Sequence, residues 1–181
     1  MSISSGTTIR AARDDDFTAI TTITNYYIAT STIHFAYESL TIDQLHGTWL
    51  RYRARFPWLE AVWKDGTVVG YAKAGTWRDR AAYTWTAEIG LYVADGSRRQ
   101  GVGNALYAEL LSELERRGFR SAIAGITLPN EPSIALHRAF GFESVGTVRD
   151  AGWKHDRWCD VEFWQKRFAT SDQSPRHDPP R

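Results

Sequence analysis

The stretch that decides the fold lies at residues 91–104 and reads LYVADGSRRQGVGN. Its first three residues are apolar and favour a strand, whereas an amphipathic helix pattern begins near Asn104. Between the two patterns, Gly101 and Gly103 form a turn of small residues. Such a turn, where it opens a helix, exposes unpaired backbone N–H groups at the positive end of the helix dipole. The junction therefore predicts a binding site for a phosphate or pyrophosphate group.

The hydrophobic pattern on either side of this junction predicts further strands and helices. Downstream, the apolar residues of one helix fall on a single stripe: Val102, Leu106, Leu110 and Leu114. Upstream, two strand patterns flank Asp65-Gly66, which is a strong hairpin signal. Strands are predicted at residues 8–11, 59–63, 68–72, 83–93, 121–128, 144–149 and 158–165. The helices lie between them, in the order β-α-α-β-β-β-α-β-α-β-β. This order predicts an α/β fold, a single domain with a mixed central β-sheet flanked by helices.

Composition limits the class of protein. A chain of 181 residues with a formal net charge of +1 is long enough for one well-packed domain and carries no global field for nucleic acid or an anionic membrane. Its single cysteine, Cys159, cannot form an intramolecular disulfide and is interpreted as structural, which fits a reducing cytoplasm. The five histidines are scattered without ligand spacing, so we expect no metal. No long apolar stretch or signal-peptide pattern occurs. We expect a cytoplasmic protein with a domain at residues 1–168 and a disordered tail at 169–181.

Three motifs recur in a known family. Arg98-x-x-Gly101-x-Gly103 follows a strand, Asn130 follows the next strand, and Gly141-Phe142 closes the last helix. In this combination the chain resembles the GCN5-related N-acetyltransferases (GNAT). Within them it resembles the phosphinothricin/methionine sulfoximine acetyltransferase group over almost all of residues 9–165. The segments that carry this likeness are YYI at 26–28 with ST at 31–32, YTWTAE at 83–88, LPN at 128–130 with PS at 132–133, GWK at 152–154 and WCDV at 158–161.

The resemblance implies acetyl-CoA as cosubstrate and assigns residues that would bind it. The backbone of Leu91, Tyr92 and Val93 would pair with the pantetheine arm. The pyrophosphate would meet the turn and its flanks, at Arg98, Arg99, Gln100, Gly101, Val102 and Gly103. Asn130 and Ser133 would flank the thiol end.

Two residues are candidates for acid–base chemistry. Strand alternation places Glu88 on the same face as Gly90 and Tyr92. Apolar neighbours would desolvate its carboxylate and move its pKa towards the range useful for a general base. The competing interpretation is a solvent-facing residue or a structural ion pair. His137 stands where many GNAT members carry the tyrosine that protonates the departing thiolate. It is either that donor or a histidine packed against the cofactor.

Five further residues are candidates for the amine substrate. They are Phe35, Arg78, Arg80, Tyr83 and Lys154, of which the cations would clamp anionic groups and the rings would wall the pocket. The resemblance implies a small acidic amino-acid analogue. His34 and Gly90 stand where the group commonly has an asparagine and a hydroxyl residue, so both bear on which amine is accepted.

Three functional hypotheses follow. The first is acetyl transfer to the amino group of a small acidic amino-acid analogue, by direct attack in a ternary complex, so the expected partner is a small-molecule amine. The second keeps the chemistry and changes the amine to a drug, a polyamine or a protein N-terminus, although the cationic candidates argue against a polycation. The third is a non-catalytic coenzyme A-sensing domain, against which Glu88 and His137 argue. A P-loop or Rossmann nucleotide enzyme is disfavoured, because the turn lacks the Lys-Ser/Thr pair of a P-loop and no acidic residue stands in the βαβ context of a Rossmann site. The family also implies a homodimer.

Overall fold

The computed structural model describes residues 6–169. The predicted disordered tail lies almost wholly outside these residues. Within the described range the chain forms seven strands and four helices in the predicted order. They are β1 (Thr7–Ala11), α1 (Phe17–Thr30), α2 (Ile42–Tyr52), β2 (Trp58–Trp63), β3 (Val68–Thr76), β4 (Thr86–Val93), α3 (Val102–Arg116), β5 (Ser121–Thr127), α4 (Glu131–Ala139), β6 (Glu143–Lys154) and β7 (Arg157–Arg167).

The strands form one mixed sheet in the order β1-β2-β3-β4-β5-β7-β6, which confirms the predicted fold class. Every neighbouring pair is antiparallel except β4 and β5, which run parallel. Because parallel strands need a crossover connection, α3 occupies the chain between β4 and β5. The glycine turn therefore lies at the end of β4, at the point where the crossover begins.

β4 and β5 separate after a short paired stretch. Their register runs only from the pair Thr86 and Ser121 to the pair Glu88 and Ile123. Both strands continue, β4 as far as Val93 and β5 as far as Thr127, without pairing to each other. The sheet therefore opens into a wedge-shaped cleft directly beyond Glu88.

Helices cover both faces of the sheet. The predicted stripe of α3, from Val102 to Leu114, is buried against one face. Helices α1 and α2 pack Phe17 and Trp49 against Tyr71 on the other face. Each fully buried large apolar side chain contributes roughly 1.5–3 kcal/mol relative to exposure. The apolar contacts on the two faces of the sheet hold β4 in place where it borders the cleft.

Some predicted boundaries differ from the structure. The strand predicted from Tyr83 begins only at Thr86, because Ala81–Tyr83 forms a short 3₁₀ turn. The last two strands extend well beyond the predicted limits. β6 carries irregularities of register between Ser144 and Gly146 and between Val148 and Gly152. Such bulges break the alternation on which a sequence-based prediction depends.

A buried charge cluster ties β1 to β2. Nη1 of Arg10 lies 2.6 Å from Oδ2 of Asp16 and 2.9 Å from Oε2 of Glu60. Burial, followed by the nearby Asp16 carboxylate, raises the pKa of Glu60 to about 9. Burial opposes ionisation of Asp16 too, but hydrogen bonds from Arg10, Glu60 and the backbone outweigh it and lower the pKa of Asp16 to about 2. Glu60 is therefore the protonated member of the pair at neutral pH.

Candidate active site

The wedge between β4 and β5 opens into a cleft of about 1430 Å³. Its walls come from the separated ends of β4 and β5, the starts of α3 and α4, and the β6–β7 hairpin. Two parts can be distinguished on either side of Glu88. We call the part towards α3 and α4 the cofactor half, and the part towards residues 33–35, β3 and Arg78 the acceptor half.

The cofactor half begins with the free edge of β4. On its other side this stretch pairs with β3, from Ile89 opposite Ala74 to Val93 opposite Gly70. In the part of the chain that the structure describes, no strand pairs with the cleft-facing edge beyond Glu88. The edge therefore presents backbone donors and acceptors in strand geometry, where an extended amide-containing group can add as a further strand.

The turn before α3 is shaped for an anion. Gly101 caps the helix with φ of 80°, a left-handed conformation that favours glycine. No side chain caps this end of the helix. The first N–H groups of α3 have no intrahelical acceptor, and the positive end of the helix dipole adds to their attraction for negative charge. Gly103 also lines the cleft, where it contributes backbone without a side chain.

The other residues of the turn that were predicted to bind the pyrophosphate divide into two groups. Arg98 and Arg99 line the cleft. The guanidinium of Arg98 is fixed by Asp95 at 3.1 Å and lies 5.4 Å from the ring centroid of Tyr27. Gln100 instead donates to the carbonyl of Gly96 at 3.1 Å, and the side chain of Val102 is buried in the core. Neither Gln100 nor Val102 is among the residues that line the cleft.

The start of α4 borders the same half. Oδ1 of Asn130 accepts a hydrogen bond from the backbone N–H of Ser133 at 3.3 Å and thereby caps the helix. Pro132 occupies the second helical position, where a missing backbone N–H breaks no hydrogen bond within the helix. Asn130 and Ser133 both line the cleft. Their local cap fixes the direction in which α4 enters it.

His137 is buried, and both of its ring nitrogens have partners. Nδ1 lies 2.7 Å from the carbonyl oxygen of Ser133, which can only accept, so Nδ1 carries the proton. Nε2 then accepts from the hydroxyl of Tyr107 at 2.6 Å. Burial lowers the pKa of His137, with a smaller opposing effect of the Ser133 carbonyl. This arrangement favours the neutral form of His137, and both His137 and Tyr107 are among the residues that line the cleft.

Glu88 is the last residue of β4 that pairs with β5, and it lies where the two halves of the cleft meet. Its neighbours Ala87 and Ile89 point into the core, which agrees with the predicted alternation. The side chain of Glu88 lines the cleft and keeps an accessible surface there. Burial raises the pKa of Glu88, and the positive charge of Lys73 partly opposes this rise. A carboxylate of this kind is suited to accept a proton from a group in the cleft.

The acceptor half contains two of the five predicted substrate residues. Phe35 and Arg78 line it, and the guanidinium of Arg78 lies 5.2 Å from the ring centroid of Trp77. The ring of Phe35 rests directly on the backbone of Gly152. A Cβ atom at Gly152 would lie 2.4 Å from Cε2 of Phe35, which is closer than two carbon atoms can approach. Gly152 thus permits this close contact between the loop and the hairpin.

The other three predicted substrate residues lie elsewhere. Lys154 is buried, and its ammonium donates to the carbonyls of Ile28 and His34, each at 2.6 Å. It therefore anchors the loop that carries Phe35, and it is absent from the residues that line the cleft. Arg80 and Tyr83 are exposed on the 3₁₀ turn before β4 and do not line the cleft of this single chain.

The structure adds residues that the sequence did not single out. Lys73 of β3 lines the acceptor half, as do Val148 and Phe163 of the hairpin, and Tyr107 holds His137. His34 and Gly90, which the sequence did single out, also line the cleft, and burial, followed by the charge of Lys73, lowers the pKa of His34 to about 4. A charged residue inside the apolar run VVGYAKAG was the available signal for Lys73. For Tyr107 and the hairpin residues the sequence carries no local signal.

Two features are absent from residues 6–169. No group of three or more histidine, cysteine, aspartate or glutamate side chains gathers in a way that could hold a metal ion. None of the helices formed by these residues is long and apolar enough to cross a membrane.

Comparison with known proteins gives a consistent result. Residues 9–163 match the family described as Acetyltransferase (GNAT) domain. The chain is 45% identical over 160 residues to a phosphinothricin N-acetyltransferase of Streptomyces viridochromogenes, covering 88% of this chain and 87% of that protein. It is 36% identical over 129 residues to the L-methionine sulfoximine/L-methionine sulfone acetyltransferase of Pseudomonas aeruginosa, covering 70% of this chain and 75% of that protein.

A solved structure agrees with both sequence comparisons. The crystal structure of a GNAT superfamily phosphinothricin acetyltransferase from Sinorhizobium meliloti, in complex with acetyl-CoA, superimposes with a TM-score of 0.88 at 31% identity. The match covers 96% of this chain and 95% of that chain. The splayed strands, the glycine turn and these likenesses lead to one conclusion: the chain belongs to the GNAT family and is an N-acetyltransferase.

Proposed function

We propose that the protein transfers the acetyl group of acetyl-CoA to the amino group of a small amino-acid analogue of the phosphinothricin or methionine sulfoximine type. The transfer proceeds by direct attack in a ternary complex. The observation that carries this proposal is the position of Glu88, at the vertex where β4 and β5 separate and the two halves of the cleft meet.

The cofactor half fits coenzyme A. The pantetheine arm contains amide groups that match the free edge of β4 at Leu91, Tyr92 and Val93, and the pyrophosphate matches the N-terminus of α3. The residues that would hold it are Arg98, Arg99, Gly101 and Gly103, with Asn130 and Ser133 at the thiol end. When bound, acetyl-CoA supplies a thioester carbonyl that the amine attacks, with the thiolate leaving.

Glu88 deprotonates the amine in this scheme. An ammonium ion has no lone pair, so a base must take its proton, directly or through a water molecule, before it can act as a nucleophile. Burial raises the pKa of Glu88 and makes its carboxylate a stronger base than an exposed glutamate. Backbone N–H groups near Tyr92 polarise the carbonyl oxygen. His137, fixed by Tyr107, holds the start of α4 in place instead of protonating the thiolate.

The amine is assigned from two observations. The named substrates of the relatives are amino-acid analogues. The acceptor half of this chain offers Arg78 for an anionic group and Phe35 as a flat wall. Among the described residues that line this half, Glu88 is the only carboxylate. A second ammonium group of a polyamine would therefore have no carboxylate partner.

We further propose a homodimer in which a second copy covers the β6–β7 hairpin. β6 is an edge strand of the sheet, and large apolar side chains stand exposed on the hairpin at Val145, Val148, Trp153 and Trp158. An exposed edge with such a surface needs a partner to avoid uncontrolled association. Sedimentation velocity of the wild type should show a dimer. A cytoplasmic location remains our proposal, since Cys159 is a buried free thiol.

The test is turnover of acetyl-CoA, followed as release of free thiol, over a panel of amines. The panel contains phosphinothricin, methionine sulfoximine, methionine sulfone, glutamate, a polyamine and a peptide N-terminus. We expect transfer to the first two, and we expect Glu88→Gln to lower kcat by about 10²–10⁴-fold. Binding of acetyl-CoA, measured by calorimetry, should stay unchanged.

The matched control is Glu109→Gln, which removes an exposed carboxylate from α3 outside the cleft. It should retain full activity. Transfer only to the polyamine or the peptide would contradict the proposed amine and keep the chemistry. Binding of acetyl-CoA without transfer to any amine would favour a sensing domain.

A further inference from the structure

Lys73 is a charged residue in an apolar part of β3, and the function proposed above does not use it. In the register of the sheet it lies opposite Trp58 of β2 and Gly90 of β4. Directly opposed residues of antiparallel strands project to the same face of a sheet. Lys73 therefore points to the face that carries Glu88, which is two positions before Gly90, and it lines the acceptor half of the cleft.

The ammonium of Lys73 has an aromatic neighbour and no counterion. Nζ lies 5.0 Å from the ring centroid of Trp58, which is a cation–π contact. Within residues 6–169, no carboxylate lies within ion-pair distance of Nζ and no acceptor forms a hydrogen bond with it. Burial lowers the pKa of Lys73, and the charge of Glu88 opposes that effect. A partly buried cation without a counterion favours an anion beside it.

The stem of Lys73 is fixed by its surroundings. A Cβ atom at Gly90 would lie 3.8 Å from Cε and 3.9 Å from Cγ of Lys73. The aliphatic stem thus runs along the bare backbone of Gly90, and no side chain at that position separates it from the cleft. This explains how a lysine in the middle of a strand can reach the acceptor half.

The charges around the acceptor half are unequal. Lys73 and Arg78 are cationic, and Glu88 is the carboxylate that the proposed mechanism assigns to the amine. His34 is neutral because burial, followed by the charge of Lys73, lowers its pKa to about 4. An acceptor with one ammonium and two anionic groups would match this set. A simple zwitterionic amino acid would leave one cation without a partner.

The position of the Lys73 ammonium indicates which anionic group of the acceptor it would contact. Trp58 belongs to β2, two strands away from Glu88 in β4, and neighbouring strands lie about 4.8 Å apart. A carboxylate bonded to the carbon that carries the amine would stay close to Glu88. A group at the end of the acceptor's side chain can extend over β3 towards Trp58.

We propose that Lys73 is a specificity-determining residue that pairs with an oxyanion at the end of the acceptor's side chain. The enzyme then prefers amino acids whose side chain ends in a phosphinate or carboxylate to those with a neutral end. This inference rests on the proposed acetyl transfer and goes beyond it by assigning a selectivity within its substrate class.

The test compares two acceptors of similar shape, with acetyl-CoA at saturation. Phosphinothricin ends in a charged phosphinate, and methionine sulfone ends in a neutral sulfone. Lys73→Met keeps the stem and removes the charge, Lys73→Arg restores a charge, and Lys64→Met removes an exposed lysine outside the cleft. We expect Lys73→Met to lower kcat/KM for phosphinothricin about 10–100-fold and for methionine sulfone less than about 3-fold. Lys73→Arg should recover most of the loss, and Lys64→Met should change neither value.

Several outcomes would overturn the inference. An equal loss on both acceptors would place Lys73 against a group that they share, and no loss on phosphinothricin would leave it without the proposed partner. If the wild type acetylates neither acceptor, the proposed amine is wrong, and calorimetric binding of phosphinothricin decides the role of Lys73. Binding that is weakened by Lys73→Met and not by Lys64→Met would support that role. Equal binding, or none to the wild type, would refute it.

Discussion

The two halves of the cleft are made of different groups. The cofactor half comes mainly from one contiguous strand, turn and helix, with the start of α4 beside them, and it offers mainly backbone N–H and C=O groups. The acceptor half comes from side chains on separate segments. They are Phe35 on a loop, Lys73 on β3, Arg78 on a second loop and the hairpin residues, all facing Glu88. One half depends on backbone geometry, and the other depends on which side chains stand at a few positions.

This difference explains how one fold can keep its chemistry while its amine changes. Backbone groups survive most substitutions of side chains, so the cofactor half is robust to sequence change. The acceptor half changes whenever one of its side chains is replaced. In the two relatives compared above the named activity is acetyl transfer, and the named amine differs. Variants that damage only one half are therefore the sharpest probes.

The largest expected effect comes from the anchor of the acceptor half. Lys154→Met leaves the carbonyls of Ile28 and His34 without their charged donor. We expect the free energy of unfolding to fall by about 2–4 kcal/mol, because each buried carbonyl that loses its partner costs about 1–3 kcal/mol. The loop that carries Phe35 should loosen, so that KM for the amine rises. Chemical denaturation and steady-state kinetics measure the two effects, and the Kd for acetyl-CoA should not change.

Lys166→Met is the matched control for this variant. Lys166 also donates to a backbone carbonyl, that of Phe140 at 2.8 Å, but it lies behind α4 and away from the acceptor half. It should cost less stability and leave KM for the amine unaltered. If both variants raised KM for the amine equally, the anchor role of Lys154 would be refuted.

The second effect concerns the cofactor half. Gly101→Val places a β-branched residue at φ of 80°, a conformation that such residues avoid. The turn must rearrange, which moves the N–H groups that would meet the pyrophosphate. We expect the Kd for acetyl-CoA to rise by about tenfold or more, since left-handed backbone costs a residue with a Cβ roughly 1–2 kcal/mol. Calorimetry measures this change.

Gln100→Ala provides the contrast within the same turn. Its side chain bonds to the carbonyl of Gly96 and does not line the cleft, so the Kd for acetyl-CoA should change less than about twofold. A large loss of affinity in Gln100→Ala, together with none in Gly101→Val, would show that side chains and not backbone geometry dominate the cofactor half.

The same contrast decides how much the sequence can predict. The glycine turn, the Asp65-Gly66 hairpin and the stripe of α3 are local patterns, and the structure confirms all three. Most of the cofactor half could therefore be predicted from the sequence, because β4, the glycine turn and the start of α3 are contiguous in the chain. Its two exceptions, Gln100 and Val102, lie in the turn but point away from the cleft.

The acceptor half depends on contacts that no local pattern encodes. Lys154 meets carbonyls 126 and 120 residues away in the chain, so its burial could not be read from the Gly152-x-Lys154 segment. His137 meets Tyr107 across 30 residues, which decides its tautomer. The sequence gives the charge of such residues, and the tertiary structure gives what that charge contacts.

The smallest predicted effect on activity comes from a residue outside both halves, where pH acts on folding and not on the cleft. Glu60 keeps its proton in the folded chain up to a pKa of about 9, against 4.5 as its ordinary value. Between those two values the unfolded chain binds fewer protons than the folded one, so stability falls as pH rises. Glu60→Gln mimics the protonated acid and removes that dependence. We expect it to be more stable than the wild type by up to about 4 kcal/mol at about pH 8, with the difference nearly disappearing near pH 5. Denaturation at both pH values measures this difference. A difference that stays constant with pH would mean that Glu60 is ionised in the folded chain. Activity in Glu60→Gln should keep its pH profile, because the proposed mechanism assigns that profile to Glu88 on β4, two strands away from Glu60 on β2.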